Sequence, residues 1–173
     1  VATDLDSGES VAFGAKGYDD VPISVAVQAS AALPGLFPPV VIGGRHFVDG
    51  ALIKTLHASV ALRAGADLVI CINPLVPFDS ELAAKHPHAD SFVRTPAHLV
   101  DGGLPVVLSQ TFRAIIHSRM RTGMDRYRHE YKNSDVLLFE PARDDAEMFF
   151  TNVFSYRSRS HLCEHAYQRT RAD

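Results

Sequence analysis

An α/β layer fold is what this sequence predicts, on three observations. Two hairpin signals stand near the start, a helical pattern runs straight into the apolar strand ADLVICINP, and a long amphipathic helix is followed by a second apolar strand, DVLLFEP. Helices that alternate with buried strands stack on a sheet. A length of 173 residues suits one domain. With 46% hydrophobic and 21% charged residues the composition is that of an ordinary globular protein, and a net charge of -3 gives no global argument for nucleic acid. Cys71 lies in an apolar run and Cys163 in a polar helical segment, so no disulfide framework is implied and a reducing compartment is the default.

Taken in order, VATDL and VAFG flank DSGES, whose Asp, Ser and Gly supply turn conformations, so the two runs read as a hairpin. VPISVAVQASAALPG reads as a helix with Pro22 in its first turn and Pro34-Gly35 as its stop. Its Ala26, Ala29, Ala31 and Ala32 permit close packing on a sheet. LFPPVVI and RHFVD around Gly43-Gly44 form a second hairpin, which places Asp49 at a strand end. TLHASVALRAG is a short helix ending at Gly65, and ADLVICINP is a strand of the kind covered on both faces. Residues 74–104 are rich in Pro, His and Gly and read as a surface excursion, with His86 and His88 as loop residues. From 105 to 132, Leu108, Phe112, Ile115, Ile116, Met120, Tyr127 and Tyr131 recur at three- and four-residue steps, which predicts a long amphipathic helix. After DVLLFEP at 135–141, the tail from Asp144 reads as one short and one longer helix.

The longest uninterrupted apolar run, LVICI, is far short of the roughly 20 residues of a spanning helix. No secretory leader opens the chain. Val1 already belongs to a strand-like run, so the sequence looks cut into, and the expected location is cytoplasmic or at a membrane surface, with secretion left open.

Asp49-Gly50 alone would be a turn signal. Its surroundings are more specific. The stretch ASAALPGLFPPVVIGGRHFVDGAL carries Ala29-Ser30, Pro34, Phe37 and Pro39 in the pattern A-S-x-A-x-P-x-x-F-x-P, then a hairpin, then Asp49-Gly50-Ala51. This resembles the patatin-like phospholipase family at its second catalytic block, most clearly over residues 1–73, ATDLDSGE included. The resemblance implies a three-layer α/β/α fold around a mixed central sheet. Residues 1–78 would then be the C-terminal part of the catalytic domain, and residues 79–173 a helical and strand extension packed on it. It further implies a lipid acyl hydrolase, a phospholipase A-like esterase that uses a Ser-Asp dyad without metal or organic cofactor and acts on a lipid or other acyl ester. Asp49 would be the base of the dyad. A serine hydroxyl is a weak nucleophile until a base takes its proton. An aspartate with an ordinary pKa of about 3.9 is a poor base, so burial or near-ideal contact has to strengthen it.

The nucleophile elbow G-x-S-x-G and a glycine-rich oxyanion loop do not occur in the chain. The nearest match, around Ser10, falls in a predicted hairpin and not between a strand and a helix. The expectation is therefore that the nucleophile lies outside these residues. One alternative is a catalytically inactive fragment or partner half. After the triplet the chain reads IKTLH, where many family members carry Asn and Pro, and this brings in His57, or the later His117, as the base of a Ser-Asp-His triad. His161-Leu162-Cys163-Glu164-His165 matches H-x-x-E-H, so zinc binding through His161 and His165 is a second alternative, although a catalytic zinc site wants a third protein ligand. The 105–132 helix carries six basic and two acidic side chains, with Arg113, His117 and Arg121 on one stripe. That stripe is either a solvated face or a peripheral contact for an anionic membrane.

Overall fold

The computed structural model describes residues 1–85, 93, 96–152 and 155–172. Of the excursion's histidines, His86 and His88 lie outside the described residues. The chain divides into two compact units: Val1–Cys71 with Arg119–Leu137, and Ile72–Ser118 with Leu138–Asp173.

In the first unit, β1 (Ala2–Asp4), β2 (Ser10–Val11), β3 (Val40–Ile42) and β4 (Arg45–Asp49) form an antiparallel sheet in the order β2-β1-β4-β3. Both predicted hairpins are present, with Ala2 opposite Val11 and Val40 opposite Phe47. Gly43 and Gly44 take φ of 58° and 79°, the double positive φ that a two-residue hairpin turn matching strand twist requires. Helix α1 (Ile23–Ser30) ends earlier than Pro34. It lays Ala29 on Ala2 and Phe47, all three fully buried, and only a methyl-sized side chain fits so close a crossing. Phe13, Tyr18 and Phe47 meet edge to face at 5.8–6.0 Å and close this core.

Helix α2 is confined to Ala58–Arg63, so His57 is its N-cap residue and not an early helical position. Strand β5 (Leu68–Ile72) pairs with β6 (Asp135–Phe139) in a second sheet. Asp135 N–H bonds the Asp67 carbonyl and Asn73 N–H bonds the Phe139 carbonyl. The two bonds advance in the same direction along both strands, so the pair is parallel. Cys71 and Asn73 are buried while Leu68, Ile70 and Ile72 are exposed, so β5 is covered on one face and open on the other, in contrast to the double burial its composition suggested.

The excursion is more regular than expected. It holds α3 (Ser80–Lys85) and a 3-10 turn at Leu99–Gly102 before α4 (Gly103–Glu130). The tail gives α5 (Ala146–Phe150) and α6 (Arg159–Ala172), one short and one longer helix as predicted. The second unit has its own core, Phe78, Ala146 and Phe149, with the Phe78 and Phe149 rings 5.2 Å apart. The α/β class and the helical C-terminal part are thus as expected.

Helix α4 departs from the predicted pattern. Its buried residues are Arg113, Ile116, Met120, Met124 and Tyr127, while Leu108, Phe112 and Ile115 are exposed. Arg113 is therefore no solvated stripe residue. Its guanidinium donates to the carbonyls of Pro74, Val76 and Met148 at 3.3–3.4 Å and sits 4.9 Å over the Phe149 ring. By length and composition residues 99–130 would suffice to cross a membrane, with a mean hydropathy of 1.2 over their most apolar 18 residues. No uninterrupted apolar run marks this in the sequence. In the structure the same stretch is fastened to protein, because besides Arg113, Gln110 takes both backbone groups of Phe78, at 2.9 and 2.8 Å.

Candidate active site

Asp49 ends β4 and is held from several sides within the first unit. Its backbone pairs with Ala2 across the sheet, its N–H donates to the Ala32 carbonyl at 3.0 Å, and its carbonyl accepts the Thr3 hydroxyl at 3.3 Å. The lead-in motif thereby gains a physical meaning. Ala29 supplies the close crossing, the Ser30 hydroxyl donates to the Val1 carbonyl at 2.7 Å, and the chain leaving α1 through Ala32 takes the Asp49 N–H. Each of these residues fixes the strand end on which the acid sits.

Beyond Asp49 the chain turns into a 3-10 turn, Gly50–Leu52, which Asp49 caps by accepting the Ala51 N–H on Oδ1 at 2.8 Å. Gly50 is needed for space: a Cβ there would lie 2.8 Å from the Val1 carbonyl oxygen and 3.0 Å from His57 Cε1. The half-buried carboxyl is raised above the ordinary carboxylate pKa, chiefly by burial, with the Ala51 N–H pulling the other way. A raised pKa makes a better proton acceptor.

His57 lies against this turn, yet among the described residues no hydrogen bond or ion pair joins it to Asp49. Its Nε2 is buried without a hydrogen-bond partner. Burial is the chief cause of a pKa lowered to about 4, with Lys54 acting in the same direction, so the ring is neutral near pH 7. His117 belongs to the second unit, where its Nδ1 is 3.5 Å from a Glu140 oxygen without hydrogen-bond alignment. His57 is thus not coupled to Asp49 as a triad requires. Ser10 opens β2, is exposed, and is followed by strand and loop, so it is on no strand-to-helix elbow.

The two histidines of H-x-x-E-H are brought together, with rings 6.5 Å apart on α6. Each Nε2 is taken by an acid from the α5 segment: His161 by Glu147 at 3.1 Å, and His165 by both Asp145 oxygens at 2.8 and 2.9 Å. Asp145 also caps α5 through the Met148 N–H. The nitrogens a metal would use thus fasten one helix to another, and among the described residues no group of three His, Cys, Asp or Glu could hold a metal ion.

Sequence reasoning missed Arg119 and Tyr127. Both belong to the first unit and bond the loop after Asp-Gly-Ala from about 70 positions away. Nothing local in the sequence marks such a contact.

Asp49 is thus a strand-end aspartate, capped by its own following turn after a small-residue helix and a glycine hairpin. In comparison with known proteins, residues 1–62 match the patatin-like phospholipase family, which bears out the resemblance read from the lead-in and from Asp49-Gly50-Ala51. An uncharacterized NTE family protein of Mycobacterium tuberculosis (strain H37Rv) is 37% identical over 73 residues, covering 42% of this chain and 19% of the relative. A second uncharacterized NTE family protein of the same strain is 43% identical over 51 residues, covering 30% of this chain and 9% of the relative. The chain thus spans about a fifth or less of the length of these curated relatives.

Proposed function

We propose that this chain is part of a lipid acyl hydrolase, a phospholipase A-like serine esterase, in which Asp49 is the base of a Ser-Asp dyad and the serine lies outside these residues. The single observation that carries the reading is the state of Asp49. Its carboxyl is half-buried at a strand end and made more basic by burial, and one oxygen is tied to the Ala51 N–H. Oδ2 is then the oxygen for a hydroxyl proton.

The steps follow from that placement. The serine Oγ attacks the ester carbonyl carbon while its proton passes to Asp49. Collapse of the tetrahedral intermediate expels the alcohol, which takes that proton, and leaves the acyl-serine. A water molecule then gives a proton to Asp49 and attacks the acyl carbon, and Asp49 returns the proton to the departing serine. His57, neutral and uncoupled from Asp49, has no proton to move in this scheme. The substrate is a lipid or other acyl ester, and the exposed Leu104, Leu108, Phe112 and Ile115, spaced along one side of α4, are where we place a peripheral contact with a lipid surface.

The test is Asp49→Asn in the full-length protein with a chromogenic acyl ester as substrate. The expected fall in kcat/KM is on the order of 10³- to 10⁴-fold with an unchanged circular dichroism spectrum, as for loss of a base member in serine hydrolases. A variant that keeps near-full activity removes Asp49 from the reaction. His57→Gln keeping most of the activity distinguishes dyad from triad.

A further inference from the structure

The turn that Asp49 caps is only three residues long, Gly50–Leu52, with Ile53 and Lys54 N–H both bonded to the Gly50 carbonyl at 3.1 Å. So short a turn has little rigidity of its own, and its C-terminal carbonyls need partners from elsewhere. They find one in α4. Arg119 Nη1 donates to the Leu52 carbonyl at 2.7 Å and Nη2 to the Ile53 carbonyl at 2.5 Å. A planar guanidinium fork suits two adjacent oxygens, and a cation at the C-terminal end of a helical turn is favourable.

Two turns further along α4, on the same side of the helix, Tyr127 donates its hydroxyl to the Leu56 carbonyl at 2.7 Å and accepts the Ser59 N–H at 3.4 Å. Lys54 adds a tie within the loop: its ammonium lies 4.7 Å over the Tyr127 ring and donates to Ser59 Oγ at 2.8 Å. Residues 52–59 are thus gripped at both ends by one rigid helix.

We propose that Arg119 and Tyr127 are positioning residues for Asp49, fixing by its carbonyls the turn whose Ala51 N–H orients the carboxylate. The inference rests on the reading of Asp49 as the base. Asp49 holds the N-terminal end of the turn and Arg119 the C-terminal end, so a turn released at one end shifts the donor at the other. The Ala51 N–H selects which carboxylate oxygen is left for the hydroxyl, and loss of its alignment loses the geometry of proton transfer.

The experiment compares Arg119→Ala, Arg119→Lys, Tyr127→Phe, Arg121→Ala and Asp49→Asn in the full-length protein, reading kcat, KM and the pH dependence of kcat/KM on a soluble acyl ester. Arg119→Ala should lower kcat on the order of 10- to 100-fold, as small misplacements of reacting groups do, with KM within about twofold. The acid limb of kcat/KM should move to higher pH, because the Ala51 N–H that holds the Asp49 pKa down is loosened. Unfolding alone would lower kcat without moving that limb. Tyr127→Phe should shift the limb in the same direction by less, and Arg119→Lys should recover part of the rate. Arg121, exposed on the same helix, should tolerate alanine. Wild-type kcat and an unmoved limb in Arg119→Ala, with Asp49→Asn inactive, overturn the inference and leave Asp49 as base. Full activity in Asp49→Asn overturns the reading beneath it. Should Arg119→Ala fail to fold, Arg119→Lys decides by the same limb: moved supports the inference, unmoved at wild-type rate overturns it.

Discussion

At Gly50 a single missing Cβ lets two backbones and an imidazole meet, since the space it would need is already held by the Val1 carbonyl and His57. The consequence for His57 is a ring that stays neutral. Its folded pKa of about 4 lies below the ordinary 6.5, so between those values the unfolded chain binds a proton that the folded chain refuses. This contribution to stability is full above about pH 6.5 and is lost as pH falls toward 4. Asp49 works in the opposite direction: its raised folded pKa favours the folded state as pH falls. Replacing His57 by Gln should therefore flatten the decline of the thermal midpoint between pH 7 and pH 4.5. Parallel midpoint curves for variant and wild type would show that the ring titrates freely. That Asp49 ends a strand was legible from the hairpin signal at Gly43-Gly44. The state of His57 was not, because desolvation depends on what packs around a side chain and not on what precedes it in sequence.

Helix α4 shows the same division at the level of an element. Its existence and length were legible, since three- and four-residue steps over nearly thirty positions leave no other regular structure. Which side it buries was legible only in part: Ile116, Met120 and Tyr127 are buried as the pattern predicts. Arg113 reads as a surface cation, yet it is 6% exposed and satisfies three backbone carbonyls, while Leu108, Phe112 and Ile115 remain exposed. Arg113→Met keeps the bulk and strands those carbonyls. It should destabilise the protein by about 2–3 kcal/mol, read as a lower midpoint in urea, since hydrogen bonds to a charged group are among the stronger ones. A loss below about 0.5 kcal/mol, typical of surface substitutions, would mean that the guanidinium is not needed there. On α6, H-x-x-E-H likewise predicted the shared face of His161 and His165 correctly. What the face meets, Glu147 and Asp145, only the packing of α5 supplies.

For the whole molecule, the parallel pairing of β5 with β6 bears most directly on behaviour in solution. Parallel strands are ordinarily covered on both faces, yet Leu68 and Ile70 on β5 and Leu137 on β6 are exposed. Apolar surface left contiguous and open binds apolar partners. A polypeptide limited to these 173 residues should accordingly bind a hydrophobic-surface dye and self-associate in sedimentation, and Leu68→Lys with Ile70→Lys should reduce both. A monodisperse monomer without dye binding would show that this face is quiet. The sequence by itself determined the hairpins, the small-residue helix, the strand end carrying Asp49 and the pattern that matches the patatin-like phospholipase family over residues 1–62, because turn chemistry, periodicity and motif spacing act between near neighbours. Only the tertiary structure decided that Arg119 and Tyr127 grip the loop after Asp49, that Arg113 is buried and that His161 and His165 hold acids. Those outcomes depend on contacts between residues distant in sequence, and burial and hydrogen-bond partnership, which residue type alone does not carry, set the chemistry of each group.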